Sequence, residues 1–388
     1  MSDMTSKLTG NWNYPTQVKF GVGRIVELAE VLVSLGISRP LIVTDAGLAN
    51  LPMVEQILQQ CSGAGLEVKI FKDVKPNPTG DNIMAGLAAY NSGSHDGVVA
   101  LGGGSSLDAG KAIALMVGQT HSLWDFEDEG DNWLRVNAES VPPIIAIPTT
   151  AGTGSEVGRA SVIHDVGAQK KKVIFHPKML PQVVIADPQL TVGLNVKLTA
   201  ATGMDALSHN LEAYCAPGYH PMADGIAVEG VRLIQENLVT AVQVGENLEA
   251  RSQMLVASMM GATAFQKGLG AMHALAHPLG AIYDAHHGLL NAILMPYVLM
   301  HNRPAIEPRI LRLANYLDLD DTTFDGFIEW VNELRRVIGI PQYLSDIGIG
   351  KENIDKVAAM ALADPSNSGN PITMTEDSYR AILEKAIE

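Results

Sequence analysis

The chain has 388 residues and a mass of 41.4 kDa, more than one hydrophobic core usually serves, so two domains are expected. Hydrophobic residues make up 47% and charged residues 18%, which argues against disorder over most of the length. With 42 acidic against 27 basic residues, the formal net charge of −15 would repel a phosphate backbone and rules against a nucleic-acid partner.

The N-terminal MSDMTSKLTGNWNYP lacks the cationic start and apolar run of a secretory signal. No apolar stretch reaches the roughly 18 residues that a membrane helix needs, so a cytoplasmic protein without a membrane partner is expected. Cys61 and Cys215 are too few for a disulfide framework and too far apart for a metal knuckle, which favours a reducing compartment.

From there the first half alternates short apolar runs with polar or Gly-rich turns and helix-like segments: RPLIVTDAG, EVKIFKDV, DGVVALGGGSS, PPIIAIPTT and PQVVIADP. This rhythm predicts βα units around a mainly parallel sheet, a Rossmann-like α/β domain over residues 1–190. Asp45 ends the first of these runs, where a carboxylate can accept hydrogen bonds from an adenosine ribose and repel a 2′-phosphate, favouring NAD over NADP. Gly102, Gly103, Gly104 and Ser105 then lie between a buried strand and a helix, so backbone amides and the positive helix end can cradle a phosphate. The acidic stretch Asp125 to Asp131 reads as a solvated loop. PTTAGTGSE places Thr149, Thr150 and Thr153 on a third polar loop at the same sheet edge, and three such loops point to one ligand with several polar groups.

After Leu190 the β-branched runs fade and helical spacing takes over, predicting an all-helical domain over 191–388. Asp205 and His209 are four apart, as are His273 and His277, so each pair shares a helix face. DAHHGLLN adds His286 and His287, between which spacing does not choose. A carboxylate with several imidazoles suits Zn²⁺ or Fe²⁺ and leaves room for a substrate oxygen. Pro278 predicts that the helix bends or ends near His277, giving that residue a role distinct from His273.

Together GGGSSLDAGK, PTTAGTGSE, TGMDALSHNLEAY and HALAHPLGAIYDAHHG resemble the iron-containing (group III) alcohol dehydrogenases, from about Pro15 to the C-terminus. The resemblance implies a dehydroquinate-synthase-like fold: an N-terminal dinucleotide-binding domain and a C-terminal helical metal-binding domain, with metal and nicotinamide meeting in the cleft. It makes Asp205, His209, His273 and His287 the ligands of Fe²⁺ or Zn²⁺, and places His277 near the nicotinamide as a proton relay. Gly102 to Ser105 become the pyrophosphate binder, Asp45 the ribose contact, and Thr149, Thr150 and Thr153 further cofactor contacts. Asp108 and Lys111 fit the GGGSxxDxxK pattern as loop supports. Lys171 resembles a cofactor-facing lysine, with Lys170 and Lys172 leaving its register open.

The implied reaction is hydride transfer between NAD and a small alcohol or its aldehyde, by a homodimer or larger assembly. In AFQKGLGAMH, Phe265 and Lys267 are read as substrate contacts. Lys267 replaces a residue that is usually a small amide, and a cation there favours ω-hydroxy acids such as 4-hydroxybutyrate. The main alternative, a dehydroquinate-synthase-like lyase, requires a basic cluster for a phosphorylated substrate, and the helical half offers few basic residues before Arg303.

Overall fold

The computed structural model describes residues 16–388, so the N-terminal segment read for a secretory signal lies outside the described residues. Six parallel strands form the main sheet: β1 (Gln17–Phe20), β2 (Pro40–Asp45), β3 (Lys69–Val74), β4 (Gly97–Gly102), β5 (Ile144–Pro148) and β8 (Val183–Ala186), in the order β1-β8-β5-β4-β2-β3. Between β5 and β8 in sequence, β6 (Ala160–Asp165) and β7 (Lys170–Phe175) pair separately as an antiparallel hairpin. The central strands β4, β5 and β8 are buried at every residue, as a parallel sheet covered on both faces requires. Helices α1 (Leu28–Ser34), α2 (Ala46–Ala49), α3 (Pro52–Gly63), α4 (Gly80–Ser92) and α5 (Gly104–Met116) complete this Rossmann-like unit.

The five expected strands are present, and β1 and the β6–β7 hairpin are additional. The acidic stretch is exposed from Asp128 to Asp131, as expected of a solvated loop, but is anchored at Glu127. Two short 3-10 turns flank it, and Glu127 pairs with Lys170 at 3.1 Å and Lys172 at 3.0 Å on β7. Opposite charges across the hairpin hold the segment down.

The second unit is entirely helical: α6 (Val196–Cys215), α7 (Pro221–Gln243), α8 (Leu248–Ala264), α9 (Ala271–Tyr283), α10 (His287–Tyr316), α11 (Phe324–Val337), α12 (Ile354–Leu362) and α13 (Glu376–Ile387). Every residue of α6 from Thr199 to Cys215 is buried, the mark of a helix enclosed on all sides by its neighbours. Of the two outcomes expected at Pro278, an end near His277 is corrected, because α9 continues to Tyr283. Proline removes one backbone donor there, and α9 is packed into the helical core along His273 to Leu279, which holds it helical across the gap.

Residues 16–150 with 154–193 form one compact unit, and 151–153 with 194–388 the other. The break falls after Gly193, beyond the expected 190. Asp187, at the end of β8, accepts from the backbone N–H groups of Gly23, Ile25 and Gln189, so the turn Pro188–Thr191 stays with the sheet.

Candidate metal centre and cofactor loop

Helix periodicity puts Asp205 and His209 on one face of α6, α9 contributes His273, and His287 opens α10. One ligand atom from each lies within 4.8 Å of all the others. Gly288 lets α10 begin so close to α6: a Cβ there would sit 2.4 Å from the Ala201 carbonyl oxygen. His286, the alternative to His287, instead caps α10 by accepting from the Leu289 N–H.

The donor set fits a divalent ion on more than proximity. Nδ1 of His273 donates to Glu212 Oε2 at 2.6 Å, and Nδ1 of His209 donates to the Gly152 carbonyl at 3.2 Å. Both acceptors leave Nε2 unprotonated for an ion, the usual outer support of a metal-binding histidine. The Asn291 amide nitrogen lies 3.0 Å from Asp205 Oδ1, 3.2 Å from His273 Nε2 and 3.1 Å from His287 Nε2, marking the point where the donors converge. The His209 and His273 rings stack at 4.8 Å between centroids. Burial pushes His209 down to about 4, keeping it neutral as a ligand must be. Burial also works against charge on His273, yet the Glu212 hydrogen bond and charge outweigh it and leave that pKa raised.

His277 is not in the four-donor group. Its Nδ1 bonds Asp364 Oδ2 at 2.8 Å, and its ring stacks on His287 at 5.4 Å. Phe265 sets its ring edge-on to His209 at 5.2 Å. Lys267, expected as a substrate contact, has partners within the chain. Its side chain is 2% exposed, with the ammonium held by Asp224 Oδ1 and the Tyr214 carbonyl, since a buried cation left unpaired is costly.

In the α/β unit, Gly102 closes the turn at φ +144°, which an L side chain rarely adopts. Gly103 sits at the N-cap of α5 without a capping side chain, Gly104 begins the helix and Ser105 follows, so first-turn amides face outward for an anion. Thr149 donates its N–H to the Gly102 carbonyl, and the Thr150 side chain lies against Gly103, so these two threonines adjoin the glycine loop. Thr153 goes with the helical unit. Asp45 caps α2 through Leu48 N–H. Asp108 accepts from Ser155 Oγ and Val162 N–H, and buried Lys111 donates to the Ser155 carbonyl, supporting the loop after β5. On β7, Lys170 and Lys172 pair with Glu127, while Lys171 points the other way and donates to Asn77 Oδ1 at 2.8 Å.

Sequence reasoning missed Glu212, Gly152, Asn291 and Asp364. Two of these carry a local signal: Glu212 follows His209 by three positions on α6, and Asn291 follows His287 by four on α10. Gly152 and Asp364 are brought in only by tertiary structure.

Comparison with known proteins places these features in a lineage. A family model described as iron-containing alcohol dehydrogenase matches residues 15–188, and its C-terminal counterpart matches 199–387. The chain belongs to the iron-containing alcohol dehydrogenase family. It is 36% identical to a 4-hydroxybutyrate dehydrogenase of Cupriavidus necator, covering 96% of this chain and 99% of that protein. It is 34% identical to an NAD-dependent methanol dehydrogenase of Bacillus methanolicus, covering 97% and 100%. A crystal structure of 1,3-propanediol oxidoreductase superposes with a TM-score of 0.91 at 36% identity, covering 98% of this chain and 100% of that one. As a member of this family the chain is an oxidoreductase acting on CH–OH groups, and these relatives lend the lyase alternative no support. Among the described residues no helix is long and apolar enough to cross a membrane.

Proposed function

We propose that the chain is an NAD-linked dehydrogenase of small primary alcohols, working equally as an aldehyde reductase, with Fe²⁺ or Zn²⁺ held by Asp205, His209, His273 and His287. The observation that carries this reading is the convergence of one carboxylate and three imidazole donors within 4.8 Å. When bound, the ion supplies Lewis acidity toward a substrate oxygen, and NAD supplies the two-electron hydride acceptor.

The chain's own residues do the rest. Glu212 and Gly152 hold His273 and His209 in the ligand tautomer. Asp364 fixes Nδ1 of His277, leaving Nε2 to take up or return the proton of the alcohol hydroxyl. Gly102, Gly103, Gly104 and Ser105 cradle the cofactor pyrophosphate. Asp45 spends one oxygen on Leu48 and offers the other to the ribose, disfavouring NADP. Thr149, Thr150, Thr153 and Lys171 are assigned as further cofactor contacts. Residues up to 193 serve as the cofactor domain and 194–388 as the metal domain.

With Lys267 committed to Asp224, neutral alcohols and diols are favoured over ω-hydroxy acids, although the Cupriavidus necator relative keeps the latter as the second substrate class. A homo-oligomer in the cytoplasm completes the reading, the latter supported by two buried, unpaired cysteines.

The test is NADH formation or consumption by metal-stripped protein reconstituted anaerobically with Fe²⁺ or Zn²⁺, on a panel of neutral alcohols, diols, hydroxy acids and matching aldehydes. Metal-dependent turnover, fastest on a neutral alcohol or diol, is the expected result. Silence with both metals across the panel refutes it.

A further inference from the structure

The turn Phe265–Lys267 between α8 and α9 carries a charge cluster, built on the buried Lys267 ammonium and the part-exposed Asp224 and Arg309, that the proposed chemistry does not use. The Lys267 ammonium donates to Asp224 Oδ1 at 2.5 Å and to the Tyr214 carbonyl at 3.1 Å. Arg309 on α10 donates from Nη1 to the other Asp224 oxygen at 3.2 Å and to the same Tyr214 carbonyl at 3.0 Å. The Arg309 guanidinium also lies 5.3 Å from the Tyr214 ring centroid, and the Tyr214 hydroxyl donates to the Arg309 carbonyl. One carboxylate and one carbonyl thus hold two cations, joining the end of α6, the start of α7, the turn and α10.

Of these charges Lys267 is the one that is costly to desolvate, and its pairing contributes little net stability over an apolar side chain of similar volume. What the cluster does provide is direction, since each ion accepts its partners only along fixed vectors. The turn it fixes is flanked by the metal ligands' supports. Two residues before Lys267, Phe265 packs edge-on against His209. Just after it, the backbone N–H groups of Gly270 and Met272 are held by Glu212, the carboxylate that orients His273.

We propose that the Lys267–Asp224–Arg309 cluster is a positioning device: by clamping the turn it sets the Phe265 ring against His209 and so fixes the direction of that imidazole's donor nitrogen. The inference rests on the reading of His209 as a metal ligand and adds residues that touch neither ion nor substrate. Phe265 restrains the tilt of the His209 ring, while the Gly152 carbonyl restrains its Nδ1 edge. Losing the clamp frees the first restraint and leaves the second.

The experiment is a double-mutant cycle on the full-length chain, reading Zn²⁺ affinity by chelator competition beside thermal melting. Lys267→Met weakens Zn²⁺ binding about tenfold, the lower end for a residue that supports a metal ligand. In a Phe265→Ala background the same substitution changes affinity by less than about twofold, because its route to the ion is gone. Equal weakening in both backgrounds, or a lowered Tm with unchanged affinity, overturns the proposal. Should Lys267→Met fail to fold, Asp224→Asn removes the shared charge in a milder form and is held to the same pattern. Asp205→Ala separates the two levels: abolished binding supports the ligand reading on which the cycle depends, and unchanged binding overturns both.

Discussion

Glu212 takes the Nδ1 proton of His273 on Oε2 at 2.6 Å, and its two oxygens also accept the Gly270 and Met272 N–H groups. The carboxylate is thereby committed to hydrogen bonds, orienting the His273 ring and the first turn of α9. Glu212→Gln keeps the shape but loses the charge and one acceptor, so Zn²⁺ affinity should fall by about 10- to 100-fold. Chelator competition measures it, and a variant that binds as tightly as wild type would show that His273 needs no such partner.

His277 stands beside the four-donor group with its Nδ1 on Asp364. His277→Ala should cut kcat about 100-fold, the usual lower range for losing a general acid–base, with metal content unchanged. Asp364→Asn should give a smaller loss of the same kind. Metal analysis beside steady-state kinetics checks both, and a metal-free His277→Ala protein would contradict the assignment.

Asp45 serves two purposes that one substitution separates. Asp45→Ser keeps an oxygen to cap α2 but removes the negative charge. The ratio of kcat/KM for NADP to that for NAD should rise about tenfold or more, since a charge pair a few ångströms apart near a protein surface exceeds about 1 kcal/mol. An unchanged ratio would place the ribose contact elsewhere.

Glu156, at 1% exposure, has an Oε1 with no partner, and burial pushes its carboxyl up to about 7 against the opposing effects of its own backbone N–H and of Lys111. Because the folded state keeps a proton that the unfolded chain releases near its ordinary 4.5, stability falls as pH rises through the window from 4.5 to 7 and stays lower above it. Glu156→Gln removes this dependence. Relative to wild type, the variant should gain stability between about pH 5 and about pH 8, approaching about 3 kcal/mol. Denaturant melts at both pH values measure it, and a constant difference would mean that Glu156 titrates normally.

How far the sequence could be read follows from what each element depends on. The β4, β5 and β8 runs are apolar and buried from end to end, and β2 is so up to Asp45, so local pattern suffices for them. QVKF is too short for periodicity to register, and KKKVIF places three lysines where a strand pattern expects alternation; its β-structure comes from pairing with ASVIHD and from Glu127. In the site, i and i+4 spacing on single helices brought out Asp205 with His209 and His273 with His277. Spacing left His286 and His287 level, only the family resemblance chose His287, and the physical reason, the close approach at Gly288, is a packing fact. Asp364 reaches His277 across 87 positions, a distance at which no local pattern operates. The partner of Lys267 was not legible because sequence shows a charge without its counter-ion, and Asp224 lies 43 positions away.

The three residues 151–153, counted with the helical unit although both their flanks belong to the sheet, make the protein resistant to dissection. A gene cut after Gly193 would yield a helical fragment retaining Asp205, His209, His273 and His287 but lacking Gly152, whose carbonyl sets the protonation of His209. Grafting this half onto another nucleotide-binding scaffold therefore requires carrying the loop along. Modularity in this chain ends at a single peptide carbonyl.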